Sequence, residues 1–502
     1  MLGIVFPTMS AVTLGDLTPD QLRGTGRLLR PALLPTTRVA ALQGATLPCR
    51  IKRKVSVVPK IEVQKPLVLA QQQPCIALSV YQYPKIICAN PTMTFTNTEC
   101  LRSRQDFPAL TRELGSHPVA FLDGPGGTQV PHSVLDAIRA SYIDRNANFD
   151  GQFQTSQNVG AAVSTARNAV ADFLGATSGA DISFGANMTT LNFSLSHALV
   201  RTMQAGDEIV ITELDHEANR GPWLNLRDRG VVVREVKLNP SGHLDLDDFA
   251  KQITARTKVV AMGLASNSLG TVTSVNLART LCDEVGALLV VDAVHYAAHF
   301  PVDVQNLGVD FLLCSAYKFY GPHIGILYSR PGLLDSLNPD YLSTQKSAAP
   351  YRIETGTLNH AAIAGVEACI DYIATWGTGD SRRAQIMSAM NDLHTYENEL
   401  GAYYYRSVKS LPGVHVWGPG FDGSPRSPTV SLSIDRMMPD AVAAELGAQG
   451  LQVWHGHFYA LKVLEVLGLV DKGGLLRVGI SMYNTRSEID RLLTALEAIT
   501  KS

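Results

Sequence analysis

No CxxC or CxxH pair occurs in the 502 residues, and the seven cysteines (Cys49, Cys75, Cys88, Cys100, Cys282, Cys314 and Cys369) stand singly. An odd, unpatterned set excludes a thiol metal knuckle and argues for free thiols in a reducing compartment rather than a disulfide framework. From residue 370 onward there is no cysteine at all. No apolar run reaches the roughly 18 residues that a membrane-spanning helix needs. Neither charge sign dominates: 43 Lys and Arg against 45 Asp and Glu leave −2, so the electrostatic signature of a nucleic-acid or membrane partner is missing. What remains is a chain with 45% hydrophobic and 18% charged residues, an ordinary globular balance. Its length suffices for two or three domains and a large core.

Acids are scarce in one place. Residues 1–92 hold three Asp or Glu against eleven Lys or Arg, and ten of the 26 prolines, so this stretch carries +8 and the rest −10. Only short apolar pieces such as PLVLA and CIALSV interrupt it, without a sustained helical or strand period. The expectation is a disordered leader outside the catalytic unit. Three origins fit it: an organelle-targeting segment, which Asp16 and Asp20 argue against, an over-called start before Met93, or a plain disordered extension. The expected compartment is cytoplasmic without a working signal and mitochondrial with one.

From about residue 119 the pattern turns regular. DISF (181–184), DEIVIT (207–212), VVVREV (231–236), KVVAMGL (258–264), ALLVVD (287–292) and DFLLCS (310–315) alternate with helical segments. Continuous apolar runs suit strands covered on both faces, and the alternation predicts an α/β fold with a mostly parallel sheet. After about 380 the rhythm changes to TVSLSI (429–434), LQVW (451–454) and LLRVGIS (475–481) with helices between, the pattern of a smaller α+β domain. Thr485 to Glu488 has capping-box form ahead of an apolar stripe at Ile489, Leu492, Leu493, Leu496 and Ile499, which reads as core. The expected organisation is a leader at 1–92, a segment at 93–118 packing on the small domain, a large domain at 119–379 and a small one at 380–502.

Ligands of open α/β sheets bind beyond the carboxyl ends of the strands, so the residues just past each strand carry the chemistry. DISF leads to GANMTTLN, a helix start suited to a phosphate. DEIVIT leads to His216, KVVAMGL to Asn267, ALLVVD ends on Asp292 with His295 behind it, and DFLLCS leads to Lys318. Each alone is ordinarily structural, since a strand-end Asp caps helices and a loop Lys or His is usually solvated. Together they supply a lysine for a Schiff base, a carboxylate for a pyridine nitrogen, a phosphate cradle and a flat group over a ring.

The stretches ITELDHEANRGPW, LASNSLGT, VVDAVH, PVDVQNLGVDFLLCSAYKFYGPHIGILY, IETGTLN and LLRVGISMYNT stand in an order that resembles the class V aminotransferase family, cysteine desulfurase-like branch, over residues 106–499. The resemblance implies a fold type I, aspartate aminotransferase-like enzyme that uses pyridoxal 5'-phosphate, acts on a small amino-acid substrate and works as a homodimer with shared active sites. It implies Lys318 as the cofactor's Schiff-base lysine, Asp292 paired with the pyridine nitrogen, and His216 stacked on the ring. Asn267 and His295 would lie near the phenolic oxygen, with Asn187, Met188 and Ser315 around the phosphate. Thr357 would reach the phosphate of the neighbouring subunit, and Arg477 would bind the substrate carboxylate.

Two departures separate this chain from desulfurases. Tyr317 stands where they usually have His, beside the lysine. Tyr459, in VWHGHFYALKV, stands where they carry the loop cysteine that takes up sulfur, and a phenol cannot form a persulfide. The expected function is therefore amino-acid chemistry by transferase or lyase steps without a persulfide. Lys318 is the expected general base, His457 and Tyr459 line the substrate side, and His216, His295, Tyr317 and His455 are further candidates for proton delivery. The segment NANFDGQFQTS (146–156) is a candidate for substrate contacts. The alternatives are a C–S β-lyase that releases sulfide and a non-catalytic binding protein on the same fold.

Overall fold

The computed structural model describes residues 95–501, so the basic leader and the alternative start at Met93 lie outside the described residues. Seven strands form the central sheet: β1 Ile182–Gly185, β2 Glu208–Thr212, β3 Val232–Val236, β4 Thr257–Gly263, β5 Leu288–Asp292, β6 Phe311–Ser315 and β7 Gly325–Ser329. Their spatial order is β1-β7-β6-β5-β4-β2-β3. All neighbours run parallel except β7, which is antiparallel to both β1 and β6. Six strands match the six apolar runs. β7 is an addition, hidden in the sequence because only a Gly-Pro turn and a few residues separate it from β6.

The continuous apolar character of these strands has its cause in two covered faces. Ile209, Ile211, Val259, Ala261 and Leu313 point to one side, where helix α3 (Met188–Val200) packs Leu191, Leu195 and Leu199 on them. Val210, Val260, Met262, Leu289, Val291 and Leu312, the residues between, point to the other. There α2 (Gln154–Leu174), α5 (Asn276–Val285) and α6 (His360–Ala374) contribute Val163, Val170, Phe173, Ala278, Ile363 and Val366. Further helices in this part of the chain include α1 (His132–Asp144) and α4 (Glu217–Leu224). Successive residues of a strand face opposite sides, so a fully buried strand must be apolar at every position.

Beyond residue 380, the long helix α7 (Arg382–Lys409), α8 (Pro439–Ala448) and α9 (Arg486–Lys501) cover a four-stranded antiparallel sheet. Its strands are β8 Val414–Trp417, β9 Thr429–Ile434, β10 Trp454–Gly456 and β11 Leu475–Gly479, in the order β8-β9-β11-β10. The LQVW strand divides: Leu451 and Gln452 pair in parallel with Ala120 and Phe121, and only Trp454 enters the sheet. The expected capping box closes α9, with Thr485 N–H donating to Glu488 Oε2 at 3.0 Å and Glu488 N–H to Thr485 Oγ1 at 3.3 Å. Of its stripe, Ile489, Leu492, Leu496 and Ile499 are buried and Leu493 packs at the edge. Near the start of the described residues, Arg104 bonds Glu488 at 2.9 Å and the Cys100 thiol donates to Asn484 O. No helix among the described residues is long and apolar enough to cross a membrane.

One ion pair ties the loop carrying Thr357 to the sheet. Arg167 on α2 meets Glu354 through two nitrogens at 2.7 Å each, and Glu354 also accepts from the Phe184 N–H at 2.6 Å. Both side chains are buried, so removing one partner strands the other's charge. Glu354→Ala is expected to cost about 3–5 kcal/mol in urea unfolding. A loss under about 1 kcal/mol would mean that the loop is held by other contacts.

Candidate active site

The carboxyl ends of β2, β4, β5 and β6, with the turn after β1, converge on one cavity lined by Asn187, Met188, His216, Asn267, Asp292, His295, Ser315, Tyr317 and Lys318. These are all ten cofactor-site residues expected from the sequence except Thr357. An open cleft of about 620 Å³ adjoins it, sharing His216, Asn267, Tyr317 and Lys318 and adding Asp123, Phe193, Trp454, Phe458, Tyr459 and Arg477.

Lys318 follows β6 in a short helical turn, Ala316–Lys318. Its Nζ donates to the carbonyl oxygens of Pro125 and Gly126, and lies 4.7 Å from the centre of the Tyr317 ring. The Tyr317 ring stacks in turn on His323 at 4.6 Å and 5°. Burial and the positive Arg477 pull the amine down to about 7, against the smaller opposing pull of Asp123 and Asp292. A lysine in this state is half neutral at neutral pH and competent as nucleophile or base.

Asp292 ends β5 with Oδ1 accepting from the Val294 N–H at 2.8 Å. Burial, with Asp215 nearby, raises it to about 7. Asp215 is a second buried carboxylate in the same cavity, raised by burial to about 6, and it accepts from Gly263 N–H at 2.8 Å and Asn219 Nδ2 at 3.3 Å. Gly263 sits beside Asp292 in the register of β4 and β5. His216 caps α4, its Nδ1 accepting the Ala218 N–H at 3.0 Å, which leaves the proton on Nε2. Burial first, then the charges of Lys318 and Arg477, hold it down to about 4, so the ring is flat and neutral.

At the other end, Asn187 caps α3 by accepting the Thr190 N–H at 2.9 Å, and the Met188 N–H donates to Ser315 Oγ at 3.3 Å. β7 approaches this helix start so closely that a Cβ at Gly325 would strike the Asn187 and Met188 backbone. Asn267 donates through Nδ2 to Phe458 O at 2.9 Å, while its buried Oδ1 has no partner among the described residues. His295 is buried, with Nε2 3.0 Å from both Ser427 Oγ and Thr429 Oγ1. Burial pushes its pKa far down.

These residues fit pyridoxal 5'-phosphate: a primary amine, a buried carboxylate for a pyridine nitrogen, a neutral ring for stacking, the N–H groups of a 13-residue helix for a phosphate and an orphan acceptor for a phenolic group. Besides Arg477, four candidates do not line this cavity. Thr357 is exposed and lines a different cavity with Asn146 and Asn148, which brings together GTLN and the NAN of the 146–156 segment. His455 and His457 are exposed, and His457 Nδ1 accepts the Tyr459 N–H at 3.0 Å. Tyr459 is 65% exposed, its ring 5.7 Å from that of His216. Phe458 and Tyr459 both take positive φ, +55° and +57°, pinned by Asn267 Nδ2 on Phe458 O and by the Glu217 N–H on Tyr459 O at 2.7 Å.

Sequence reasoning missed Asp123, the glycine-rich turn Gly124–Gly127 that covers Lys318, and Asp215. The signal was present in FLDGPGGT, an acid and a run of glycines directly after the Ala120–Phe121 strand. A Cβ at Gly126 would collide with Asp123 Oδ2, and one at Gly124 would meet Ser481 Oγ at 2.5 Å. Among the described residues the four cysteines, Cys100, Cys282, Cys314 and Cys369, are all buried, and none lines the cavity or the cleft.

The profile of the aminotransferase class-V family matches residues 120–492. A probable cysteine desulfurase of Synechocystis sp. is 30% identical over 412 residues, covering 79% of this chain and 94% of that protein. A cysteine desulfurase of Pectobacterium atrosepticum is 31% identical over 414 residues, covering 79% and 97%. Among solved structures, the apo cysteine desulfurase of Thermococcus onnurineus NA1 superposes with a TM-score of 0.72 at 28% identity, over 82% of this chain and 99% of that one. A C-DES variant with glycine covalently linked to its PLP cofactor shares the fold, with a TM-score of 0.66 at 19% identity over 78% and 98%.

The buried Asp292 carboxyl generates a stability prediction for the cofactor-free protein. Its folded pKa of about 7 lies above the ordinary 3.8, so the folded state binds the extra proton between those values. Stability from this group is full below about pH 4 and is lost as pH rises through 7. Asp292→Asn should therefore raise the apo-protein's thermal midpoint at pH 8, by an amount equivalent to a few kcal/mol, and change it little at pH 4. Equal melting of the two proteins at both pH values would show that the carboxyl carries no such burden.

Proposed function

The chain belongs to the aminotransferase class-V family, and from that premise we propose that it is a pyridoxal-phosphate enzyme that removes the α-proton of an amino acid and proceeds without a persulfide. The cofactor, when bound, withdraws electrons from the substrate's Cα. Lys318 carries this reading: its amine is lowered to about 7 and stands in one cavity with Asp292 and His216, open to a cleft that holds Arg477. Asp292 would hold the pyridine nitrogen's proton, and His216, neutral and capped in place, would cover the ring. Lys318 Nζ, freed when a substrate amine replaces it, would take the proton from Cα. Arg477 would orient the substrate through its carboxylate.

The absence of cysteine from the cavity and cleft linings among the described residues supports a route without sulfur uptake by the protein, as does the phenol of Tyr459 at the loop position. Tyr459 lines the cleft and His457 accepts its N–H, and the two would exchange protons with a substrate side chain. The second reading is β-elimination from a cysteine-type substrate, which needs the same lysine and no thiol on the protein. A dimer with shared sites is supported by Thr357, which is exposed and lines a cavity other than that of its own chain's Lys318.

The purified protein should show a visible absorbance band that Lys318→Ala abolishes. An amino acid that bleaches the band, with a keto acid restoring it, marks an aminotransferase. Pyruvate and sulfide from cysteine mark the lyase. Loading of the cofactor-free protein with pyridoxal phosphate should quicken as pH increases through about 7, where the free lysine amine loses its proton. Persulfide on the purified protein after cysteine treatment would sink the proposal.

A further inference from the structure

The anchor for the substrate carboxylate is not free. Arg477 is 3% exposed, with Nη2 on Asp123 Oδ1 at 2.7 Å and Nη1 on the Asn267 carbonyl at 3.1 Å. The Phe458 ring lies 4.5 Å from its guanidinium carbon, and its Nε is buried without a partner among the described residues. A ligand carboxylate on the remaining guanidinium N–H groups therefore shares the arginine with Asp123, whose side chain is only 22% exposed. Two carboxylates on one guanidinium leave an excess negative charge there, which is costly unless something positive arrives with the ligand.

The surroundings say what would satisfy it. The Pro125 and Gly126 carbonyls, in the turn just after Asp123, accept the Lys318 ammonium protons, and Asp123 acts on the Lys318 charge as well. Acceptors for an N–H-bearing cation thus lie beside a guanidinium for a carboxylate.

We propose that Asp123 and Arg477 together read a zwitterion: Asp123 is a specificity-determining residue that admits a carboxylate to Arg477 only when the ligand brings an ammonium group to Asp123 and the Gly124–Gly127 turn. The site then selects amino acids over keto acids and simple carboxylates. A ligand without the ammonium sets a second negative charge beside Asp123 and brings nothing to offset it. This rests on the assignment of Arg477 as the carboxylate anchor.

N,N-dimethylglycine and 3-methylbutanoate test the idea. They have the same shape, neither can condense with a carbonyl, and only the first carries a cationic N–H. Calorimetric titration of the cofactor-loaded protein should give at least about tenfold tighter binding of N,N-dimethylglycine. Asp123→Asn should tighten 3-methylbutanoate about tenfold and erase most of the preference, whereas Asp123→Glu keeps it. Equal binding of the two probes by the wild-type protein, or an unchanged ratio in Asp123→Asn, overturns the proposal. Should Asp123→Asn not fold, the wild-type ratio alone decides. Arg477→Ala separates the two readings: if it leaves both affinities unchanged, the anchor assignment has failed rather than the role of Asp123.

Discussion

A primary amine drawn partly out of water, and hydrogen-bonded among the described residues to backbone carbonyls, is the constraint around which this molecule is arranged. Among the described residues no carboxylate bonds the Lys318 Nζ; its hydrogen bonds go to the oxygens of Pro125 and Gly126. Its opposite charges, Asp292 and Asp123, act at a distance and are outweighed by burial and by Arg477. Had either carboxylate closed directly on the amine, the lysine would be a permanently charged member of a salt bridge and useless as a nucleophile. Asp292 is instead turned to the Val294 N–H and Asp123 to Arg477.

That separation is achieved by the layering of the fold. Asp292 and Lys318 come from the ends of neighbouring parallel strands, β5 and β6, whose register fixes how far apart they stand. Asp123 and the glycine turn come from a segment that joins the C-terminal part through the Ala120–Leu451 pairing and the Asp123–Gly479 bridge. Arg477 lies on β11, one strand of the second sheet. The groups proposed to hold the cofactor thus sit on the large sheet and those proposed to hold the substrate on elements outside it. Any relative displacement of the two would alter the electrostatics of Lys318 through Arg477 as well as the shape of the cleft.

Local strain at the cleft includes the paired positive-φ residues Phe458 and Tyr459, each worth on the order of 1–3 kcal/mol against an ordinary conformation. Three hydrogen bonds, from Asn267, Glu217 and the Tyr459 N–H to His457, hold them. The result is a Phe458 ring laid over Arg477 and a Tyr459 ring directed to the mouth beside His216. A cysteine would have occupied the same mouth with a small nucleophile; tyrosine fills it with a large weak acid.

Much of this was readable in the chain itself. Continuous apolar runs become doubly covered strands because a strand buried on both faces tolerates no polar alternation, and residues just past their carboxyl ends must meet at one edge of the sheet. Hence Lys318, Asp292, His216, Asn267 and the Asn187 helix start could be gathered before any coordinates. Only the tertiary structure decided what charges face one another across segments distant in sequence: Asp123 with Arg477 over 354 positions, Asp215 beside Asp292, His295 committed to Ser427 and Thr429. Strand periodicity reports burial along a segment, but an ion pair between segments leaves no local period. The partners of Arg477 and the lowered pKa of Lys318 therefore belong to the packing and not to any stretch of sequence.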